Sequence, residues 1–434
     1  SVLFGGFLLL GGRAADLYGR RRIFLLGLAV YAVSSTLGGL ADSPVGMIAV
    51  RALQGAGGAF LFPATLSLIN TLFEEGEQRN RAVGLWSLAG SSGLTLGSLI
   101  GGLLVGTLGW PWIFFVNLPI ACLAGAAALV AIPADAANIA RSRLDLLGAL
   151  TSTGCVTLLV FVLVEAPDRG WISGATIGGG LLSAALLGVF LIAEARATHP
   201  LMPLAMLRRG SLAPAMAMTF MFMGTFMALP YFTTELFQKG FGFTPIETGF
   251  AFLVPCLAIA AGTQLGSRLA KRLGARRLSL GGLVVGAAGA ALVAAAIAHG
   301  SGYAELIPGL IVFGLGQGTA WPPMWIMASE GIAPKDQGVA SGMASTTLWV
   351  GGAAGLAVLV AIADTAATGG AEHATSHLAD RSARAVAAIA VGIFFSLPIL
   401  LWRPTLGSGP VDHSQKMRAG EKRVDGEVGA RHPS

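Results

Sequence analysis

The chain has 434 residues, of which 54% are hydrophobic and only 12% are charged. Soluble domains carry roughly 25% charged residues, so this chain has too little charge to cover a surface that faces water. These proportions exclude a soluble enzyme and a disordered protein. Only three cysteines are present, all in apolar runs, which excludes a disulfide scaffold. With a mean hydropathy of +0.73, the chain is predicted to be a polytopic membrane protein.

Charged residues interrupt the chain at intervals that suit membrane-spanning helices, each of which needs about 20 apolar residues. The run 82–134 is long enough for two helices, and Gly109, Trp110 and Pro111 mark the predicted break between them. The runs are apolar on all sides and lack the alternation of β-barrel strands, so the predicted class is all-α. The sequence predicts thirteen spans, located in a short apolar start and in the charge-free runs: residues 1–12, 23–41, 52–73, 82–134, 146–164, 170–193, 210–234, 248–267, 278–304, 306–329, 337–363 and 385–402.

Lysine and arginine concentrate in one set of alternating loops and in the C-terminal tail, which together hold 23 of the 28 basic residues. Basic residues accumulate on the cytoplasmic side of a membrane, so these loops and the C-terminus are predicted to be cytoplasmic. The excess of basic residues is therefore interpreted as a topology signal, and no nucleic-acid partner is expected. A composition rich in Arg, Ala and Gly and poor in Lys suggests a high-GC bacterium and its inner membrane.

The start of the chain is expected to be incomplete. Ser1 would lie on the external side, inside a helix of about two-thirds the usual length, with no initiator methionine and no signal peptide. Thirteen spans also divide unevenly between paired halves. We therefore expect that part of one helix and a whole preceding helix are missing, and that the intact protein has fourteen spans.

The chain partly repeats itself. Residues 11–22 lie in a loop between two spans and contain the arginine run 20–22, and residues 266–277 do the same about 255 residues later. Two spans after each copy comes a glycine- and glutamine-containing segment, residues 51–58 and 314–318 respectively. Parallel repeats of this kind place a substrate site near the middle of the membrane, between two halves of a transporter.

Four segments match known transporter motifs. Residues 12–22 resemble G-x-x-x-D-x-x-G-R-R, residues 51–58 resemble R-x-x-Q-G-x-G, and residues 93–102 resemble G-x-x-x-G-P-x-x-G-G. Residues 110–119 are similar to W-x-W-I-F-x-x-N-x-P. From residue 1 to about 402 the chain thus resembles the major facilitator superfamily, specifically its fourteen-span drug:proton antiporters of the EmrB/QacA type. Two departures are Ser98, which replaces the proline of the third motif, and the absence of the first span with its membrane-embedded acid.

The resemblance implies a major facilitator fold, with two pseudo-symmetric helix bundles and an inserted helix pair. The expected divisions are an N-terminal bundle at 1–132, the inserted pair with its cytoplasmic linkers at 133–210, a C-terminal bundle at 211–402 and a disordered cytoplasmic tail at 403–434. It also implies a monomer, in contact with lipid, that exports small lipophilic compounds in exchange for protons. No metal and no cofactor are implied.

Three other functions stay open at this point. The protein could export one endogenous metabolite or antibiotic, or it could be a truncated remnant that transports nothing. An integral membrane enzyme is the least supported, because no nucleophile–base pair lies at membrane depth. The acids Asp42, Glu165, Glu235, Glu305 and Asp364 all lie near external helix ends, which weakens the case for proton coupling.

The loop motif predicts a contact between two helices at the cytoplasmic end. Glycine permits a tight turn, and arginines meet lipid phosphates, although the arginines could serve topology alone. An acid stabilises a helix N-terminus, so Asp16 is predicted to lie close to residues 337–340 when the transporter is open outward. The second copy has Lys271 instead, so no matching contact near Arg81 is expected. The gating residues are predicted to be Gly12, Arg13, Asp16, Gly19, Arg20 and Arg21.

The span at 52–73 is predicted to extend back through Arg51 to about Val45, which places this charge well inside the span. Such a residue is costly unless it faces a cavity or a partner. Gln54 follows one turn later on the same face. We predict that both side chains face the cavity between the bundles, and the resemblance ties Arg51 to proton coupling. The alternative is a structural arginine satisfied by backbone carbonyls.

Small residues predict close helix packing in the span that carries the third motif. They are Gly93, Gly97, Gly101 and Gly102. A gating role for them comes only from the resemblance.

Polarizable residues predict a lipophilic site, with contact to lipid as the alternative. One span is rich in methionine between residues 216 and 227, and other candidate cavity residues are Gln264, Gln317, Trp321 and Trp325. His373 and His377 have a spacing that binds metals on helices, but a solvated loop is the preferred interpretation because no third ligand is evident.

Overall fold

The structure is a computed structural model that describes residues 2–135, 145–197, 200–203, 206–207, 211–364 and 374–401. Inside those ranges it does not describe the side chains of residues 2, 94–95, 98–99, 146, 168, 271, 374–377 and 399–401. The predicted disordered tail, Ser98, Lys271 and the histidine pair therefore fall, wholly or with their side chains, outside the described part.

The described ranges contain helices and no strands, which confirms the predicted all-α class. The α-helices in chain order are α1 (Val2–Tyr18), α2 (Arg20–Gly39), α3 (Pro44–Leu72), α4 (Glu77–Leu108), α5 (Trp112–Phe115), α6 (Asn117–Ala131), α7 (Leu146–Arg169), α8 (Gly174–Arg196), α9 (Leu212–Phe226), α10 (Leu229–Glu235), α11 (Pro245–Ala251), α12 (Leu253–Leu273), α13 (Ala275–Ala298), α14 (Tyr303–Ser329), α15 (Gln337–Asp364) and α16 (Ala374–Leu401). A π-helical turn, Leu236–Gly240, continues α10, and a 3-10 turn, Pro334–Asp336, precedes α15.

Nine helical segments of the described ranges are long and apolar enough to cross a membrane. They include α2, α3, α7, α8 and α13 as single helices, whereas α9 with α10 and α11 with α12 count as continuous segments. The order of the helices follows the predicted order. The count of thirteen spans stays a prediction.

Glycines with positive φ separate helices where the sequence predicts breaks. Gly109 lies between α4 and α5 and has a φ of 92°. Glycine suits this position because it alone adopts a positive φ of this size without strain. Gly19 (φ 102°) lies between α1 and α2, and Gly274 (φ 78°) lies between α12 and α13. The last two occupy equivalent positions in the two copies of the repeated segment, so the repeat is present in the backbone as well.

The helices form one compact unit up to the end of α16. We call α1–α6 the N-terminal half, α7 and α8 the inserted pair, and α9–α16 the C-terminal half. Between the halves, α1 packs against α15 and α4 packs against α12, while α7 packs against both α1 and α15. The predicted domain boundaries stay a prediction.

Hydrogen bonds and ion pairs of basic residues distinguish the two ends of the helical unit. Arg20 and Arg79 lie close to the segment that joins α14 to α15, and we call this the basic end. Lys239 and Arg381 both bind Glu235 at the opposite end of the continuous α9–α10 segment. This separation agrees with the charge asymmetry of the sequence.

Candidate functional site

Asp16 joins the two halves at the basic end. It lies in the last turn of α1, and its carboxylate oxygens accept hydrogen bonds from the backbone N–H groups of Gly338 (3.0 Å) and Val339 (2.8 Å). Those groups belong to the first turn of α15, where free N–H groups and the helix dipole favour a negative charge. The Asp16 side chain is only 1% exposed, so water screens the contact little. The contact predicted from pseudo-symmetry is present.

Glycines allow the two helices to meet this closely. A Cβ atom at Gly12 would collide with the carbonyl oxygen of Gly338, and a Cβ at Gly338 would collide with that of Gly12. Gly342, one turn later on α15, also faces Gly12. Backbone contact between α1 and α15 therefore brings the Asp16 carboxylate within reach of the α15 N-terminus.

Arg20 extends this contact to two further segments. Its Nη2 donates to Asp16 Oδ1 at 2.6 Å and also to the carbonyl oxygen of Pro334, while its Nε donates to Ser67 Oγ at 2.6 Å. Ser67 lies on α3 and Pro334 precedes α15. Arg20 therefore binds protein groups on both halves, which a topology signal alone would not require.

Arg21 and Gly19 have a different partner, which the sequence did not predict. The Asp135 carboxylate accepts from the backbone N–H groups of Arg21 (3.2 Å) and Arg22 (3.0 Å), and thus caps the N-terminus of α2. The Arg21 guanidinium donates to the Leu129 carbonyl at 2.7 Å. A side chain at Gly19 would collide with the Asp135 carboxylate, so this glycine serves both the turn and the cap.

Glu75 makes a second contact between the halves at the basic end. Its Oε1 accepts from the backbone N–H of Gly331 at 3.1 Å and from Arg79 Nη1 at 3.2 Å. Arg79 is largely buried and also donates to the Phe73 carbonyl. Because the Glu75 side chain is 55% exposed, this contact is weaker than the one at Asp16. Nothing in the sequence distinguishes Glu75 from other loop acids.

Aromatic rings from both halves form one continuous cluster, with ring centroids 4.8–6.3 Å apart between neighbours. Trp321 and Trp325, predicted as cavity residues, lie in it 5.6 Å apart, and Trp325 is fully buried. The sequence did not single out the rings of the N-terminal half, because apolar helices give no periodic signal for their inner face. We call the following set the aromatic cluster: Phe4, Phe62, Trp86, Phe222, Phe226, Phe313, Trp321, Trp325 and Trp349.

The aromatic cluster also offers polar donors. The indole N–H groups of Trp325 and Trp349 are buried, and no group of the described residues accepts from them. Buried donors without a partner are uncommon and are available to an acceptor group on a ligand.

The two glutamines predicted to line the cavity differ in burial. Gln317 is nearly buried and donates to the sulfur of Met227 at 3.6 Å. Gln264 is half-buried on α12. Met218 is buried and Met223 packs against the core, so part of the methionine-rich helix faces inward rather than lipid.

The described partners of Arg51 and Gln54 lie within the N-terminal half, and the prediction that both side chains face the cavity between the halves stays a prediction. Arg51 Nη1 donates to Gln54 Oε1 at 2.7 Å, and Gln54 Nε2 donates to Ser35 Oγ on α2 at 2.6 Å. The Arg51 guanidinium lies 5.8 Å from the ring centroid of Phe114. All these partners belong to the N-terminal half, which supplies the hydrogen bond and the aromatic face that the charge needs.

The packing predicted for the glycines of α4 is wrong within the described residues. A Cβ atom at Gly93, Gly97, Gly101 or Gly102 would have no heavy atom within 4 Å. Small residues allow close approach but do not supply a neighbour. The close contact between α4 and α12 lies elsewhere, at Gly84, where a Cβ would meet Ser267.

The family profile of the Major Facilitator Superfamily matches residues 1–356. The chain belongs to this superfamily. The puromycin resistance protein pur8 of Streptomyces alboniger is 35% identical over 422 residues, which cover 93% of this chain and 81% of pur8. The cephamycin export protein CmcT of Amycolatopsis lactamdurans is 34% identical over 94% of this chain and 83% of its own length. The crystal structure of the human organic anion transporter MFSD10 has a TM-score of 0.66 at 18% identity, covers 92% of this chain and 81% of that protein, and supports the fold alone.

Membership of the major facilitator superfamily makes the protein a multi-pass membrane transporter and not an enzyme, which confirms those two predictions. It also confirms the resemblance inferred from the four motifs. The fourteen-span count and the missing first span stay predictions.

Proposed function

We propose that the protein exports lipophilic drugs or antibiotics across the cytoplasmic membrane. The aromatic cluster carries this proposal, because it joins both halves and presents broad apolar surfaces with two unused N–H donors. Sites for drug-sized molecules combine such apolar walls with a few polar groups. The names of two relatives agree with export, since one is a puromycin resistance protein and the other a cephamycin export protein.

We assign the basic end to the cytoplasm, because basic residues are retained there. The described state is then closed toward the cytoplasm by Asp16, Arg20 and Glu75. Export requires exchange with a state in which these contacts are broken and the aromatic cluster is reached from the cytoplasm.

We further propose that protons drive the export, as the antiporter motifs imply. Arg51 remains the proposed coupling residue, and Gln54 would connect it to Ser35 on α2. We expect a monomer surrounded by lipid, with its C-terminus in the cytoplasm.

Efflux of a fluorescent lipophilic dye from cells that lack their own exporters tests the proposal. Cells that express the chain should lose dye faster than control cells, and a protonophore should abolish the difference. Trp325→Ala should remove most of the export, whereas Phe394→Ala, which alters a ring that is 63% exposed on α16, should not. Equal dye loss with and without the chain would reject export, and export that survives the protonophore would reject proton coupling.

A second candidate is export of one antibiotic rather than many compounds. Each of the two relatives above is named for a single compound, which favours this possibility. Growth protection against a panel of unrelated lipophilic antibiotics separates the two candidates, because a dedicated exporter protects against one chemical class only.

A further inference from the structure

A buried carboxylate of the inserted pair binds the linker that leads into the C-terminal half. Glu194 lies in the last turns of α8 and is 4% exposed. Its two oxygens accept from the backbone N–H groups of Leu201 (2.9 Å) and Met202 (3.1 Å). A buried carboxylate that accepts two backbone hydrogen bonds holds the position of that backbone strongly.

The position of Leu201 matters because of its apolar neighbours. Leu201 is fully buried in a cluster with Val339, Ala340 and Met343 of α15 and with Leu9 of α1. Val339 donates one of the two backbone hydrogen bonds to Asp16. The bound linker therefore belongs to the same apolar cluster as the turn of α15 that Asp16 caps.

The inserted pair also contacts the helices that meet at Asp16. Helix α7 packs against both α1 and α15, the two helices that Asp16 joins. At the start of α7, a Cβ atom at Gly148 would lie 3.0 Å from a Glu194 oxygen. The absence of a side chain at this position thus leaves room for the carboxylate between α7 and α8.

We propose that the inserted pair positions the first turn of α15 for its contact with Asp16, and that Glu194 is the positioning residue. It acts through Leu201, which belongs to the same buried apolar cluster as Val339. Loss of Glu194 would free the linker, loosen the apolar cluster and favour the state in which the basic end is open. The inference rests on the proposed exchange between two states.

The test measures opening at the basic end directly. The three native cysteines, Cys122, Cys155 and Cys256, are replaced by alanine in the full chain, and Ser329→Cys places a thiol at a position 3% exposed at the end of α14. The rate of modification by a soluble thiol reagent, in membranes with the basic end accessible, reports opening. The matched control is Glu165→Ala, which removes an exposed acid that pairs with Arg169 at the far end of α7.

Glu194→Ala should raise the modification rate at least about threefold, Glu194→Gln should give an intermediate rate because it keeps one acceptor oxygen, and Glu165→Ala should leave the rate unchanged. Asp16→Asn should raise the rate as well. Because both residues act on one turn of α15, the double variant should react no faster than Asp16→Asn alone. Leu201→Ala should reproduce the effect of Glu194→Ala if the latter variant fails to reach the membrane.

Two results would overturn the proposal while the exchange between states stands. One is a raised rate for Asp16→Asn with parental rates for Glu194→Ala and Leu201→Ala. The other is a double variant whose effect equals the product of the two single effects. A parental rate for Asp16→Asn would instead reject the Asp16 contact as the closure, and the inference with it.

Discussion

The indole of Trp86 on α4 stands edge-on to that of Trp325 on α14, with ring centroids 5.5 Å apart and an angle of 84° between the planes. This edge-to-face pair is a direct contact between the N-terminal half and the C-terminal half. Because Trp325 has no exposed surface in the described state, the two halves must separate before a ligand reaches that ring. Under the proposed function, closure and binding use the same aromatic surface.

Trp86→Ala should lower the rate of dye export about tenfold, because it removes an aromatic pair worth about 0.5–1.5 kcal/mol beyond its buried area as well as part of the binding surface. Trp86→Phe should keep a substantial part of the rate. Efflux measured over a range of dye concentrations checks this. Trp110→Ala is the control, since that ring is 48% exposed and lies outside the aromatic cluster. Equal rates for Trp86→Ala and the parent would refute a binding role for this ring.

Gly338→Ala should open the basic end, because the added methyl group would collide with the Gly12 carbonyl oxygen and force α1 away from α15. Small-to-large changes at a tight contact cost about 1–3 kcal/mol. The thiol-modification rate at residue 329 measures the opening. Gly281→Ala on α13 adds a methyl group where no heavy atom lies within 4 Å, and its rate should match the parent. A parental rate for Gly338→Ala would show that α1 and α15 accommodate the added methyl group without opening the basic end.

Gly97→Ala should leave export and membrane abundance unchanged, since the α4 surface at Gly97 is open. Alanine is favoured over glycine inside a helix by about 0.8–1.0 kcal/mol, so stability should rise slightly. Thermal unfolding in detergent and dye efflux check the two parts. If Gly97→Ala unfolds at a higher temperature than the parent but exports poorly, this face of α4 packs closely in the state that is open at the basic end.

Gln54→Leu should destabilise the N-terminal half, because it leaves the Ser35 hydroxyl and the Arg51 guanidinium without the amide that binds both. Ser35 is fully buried, and the loss of the partner of a buried polar group costs about 1–3 kcal/mol. The midpoint of thermal unfolding in detergent should fall accordingly. Thr107→Val, which alters an exposed hydroxyl on α4, is the control. An unchanged midpoint for Gln54→Leu would show that this hydrogen-bond chain contributes nothing to folding.

The sequence predicted those features that depend on local rules. The helix break at Gly109 follows from the conformational freedom of glycine and appears where expected, and Gly19 and Gly274 separate helices inside the two predicted loop segments. The partner of Asp16 was also predictable, because pseudo-symmetry places a helix N-terminus opposite the loop motif and an acid is favoured there.

Features that depend on tertiary neighbours could not be predicted in the same way. Phe62 and Trp86 lie on helices that are apolar on all sides, so their inward orientation has no sequence signal. Glu75 and Glu194 bind backbone N–H groups, which carry no residue identity. The packing predicted at Gly97 was wrong for the same reason, because a residue type shows what contact is possible but not which helix provides it.

The hydrogen bond between Asp16 and Gly338 joins residues separated by 322 positions in the chain. At about 5–20 residues per second, a ribosome needs roughly 15–65 s to make the intervening polypeptide. The nascent α1 is therefore in the bilayer before α15 has been synthesised. During that interval its packing against α3 must keep α1 in its native position. Variants that weaken the packing of α1 on α3 should consequently be lost to membrane quality control during biogenesis, before any transport cycle begins.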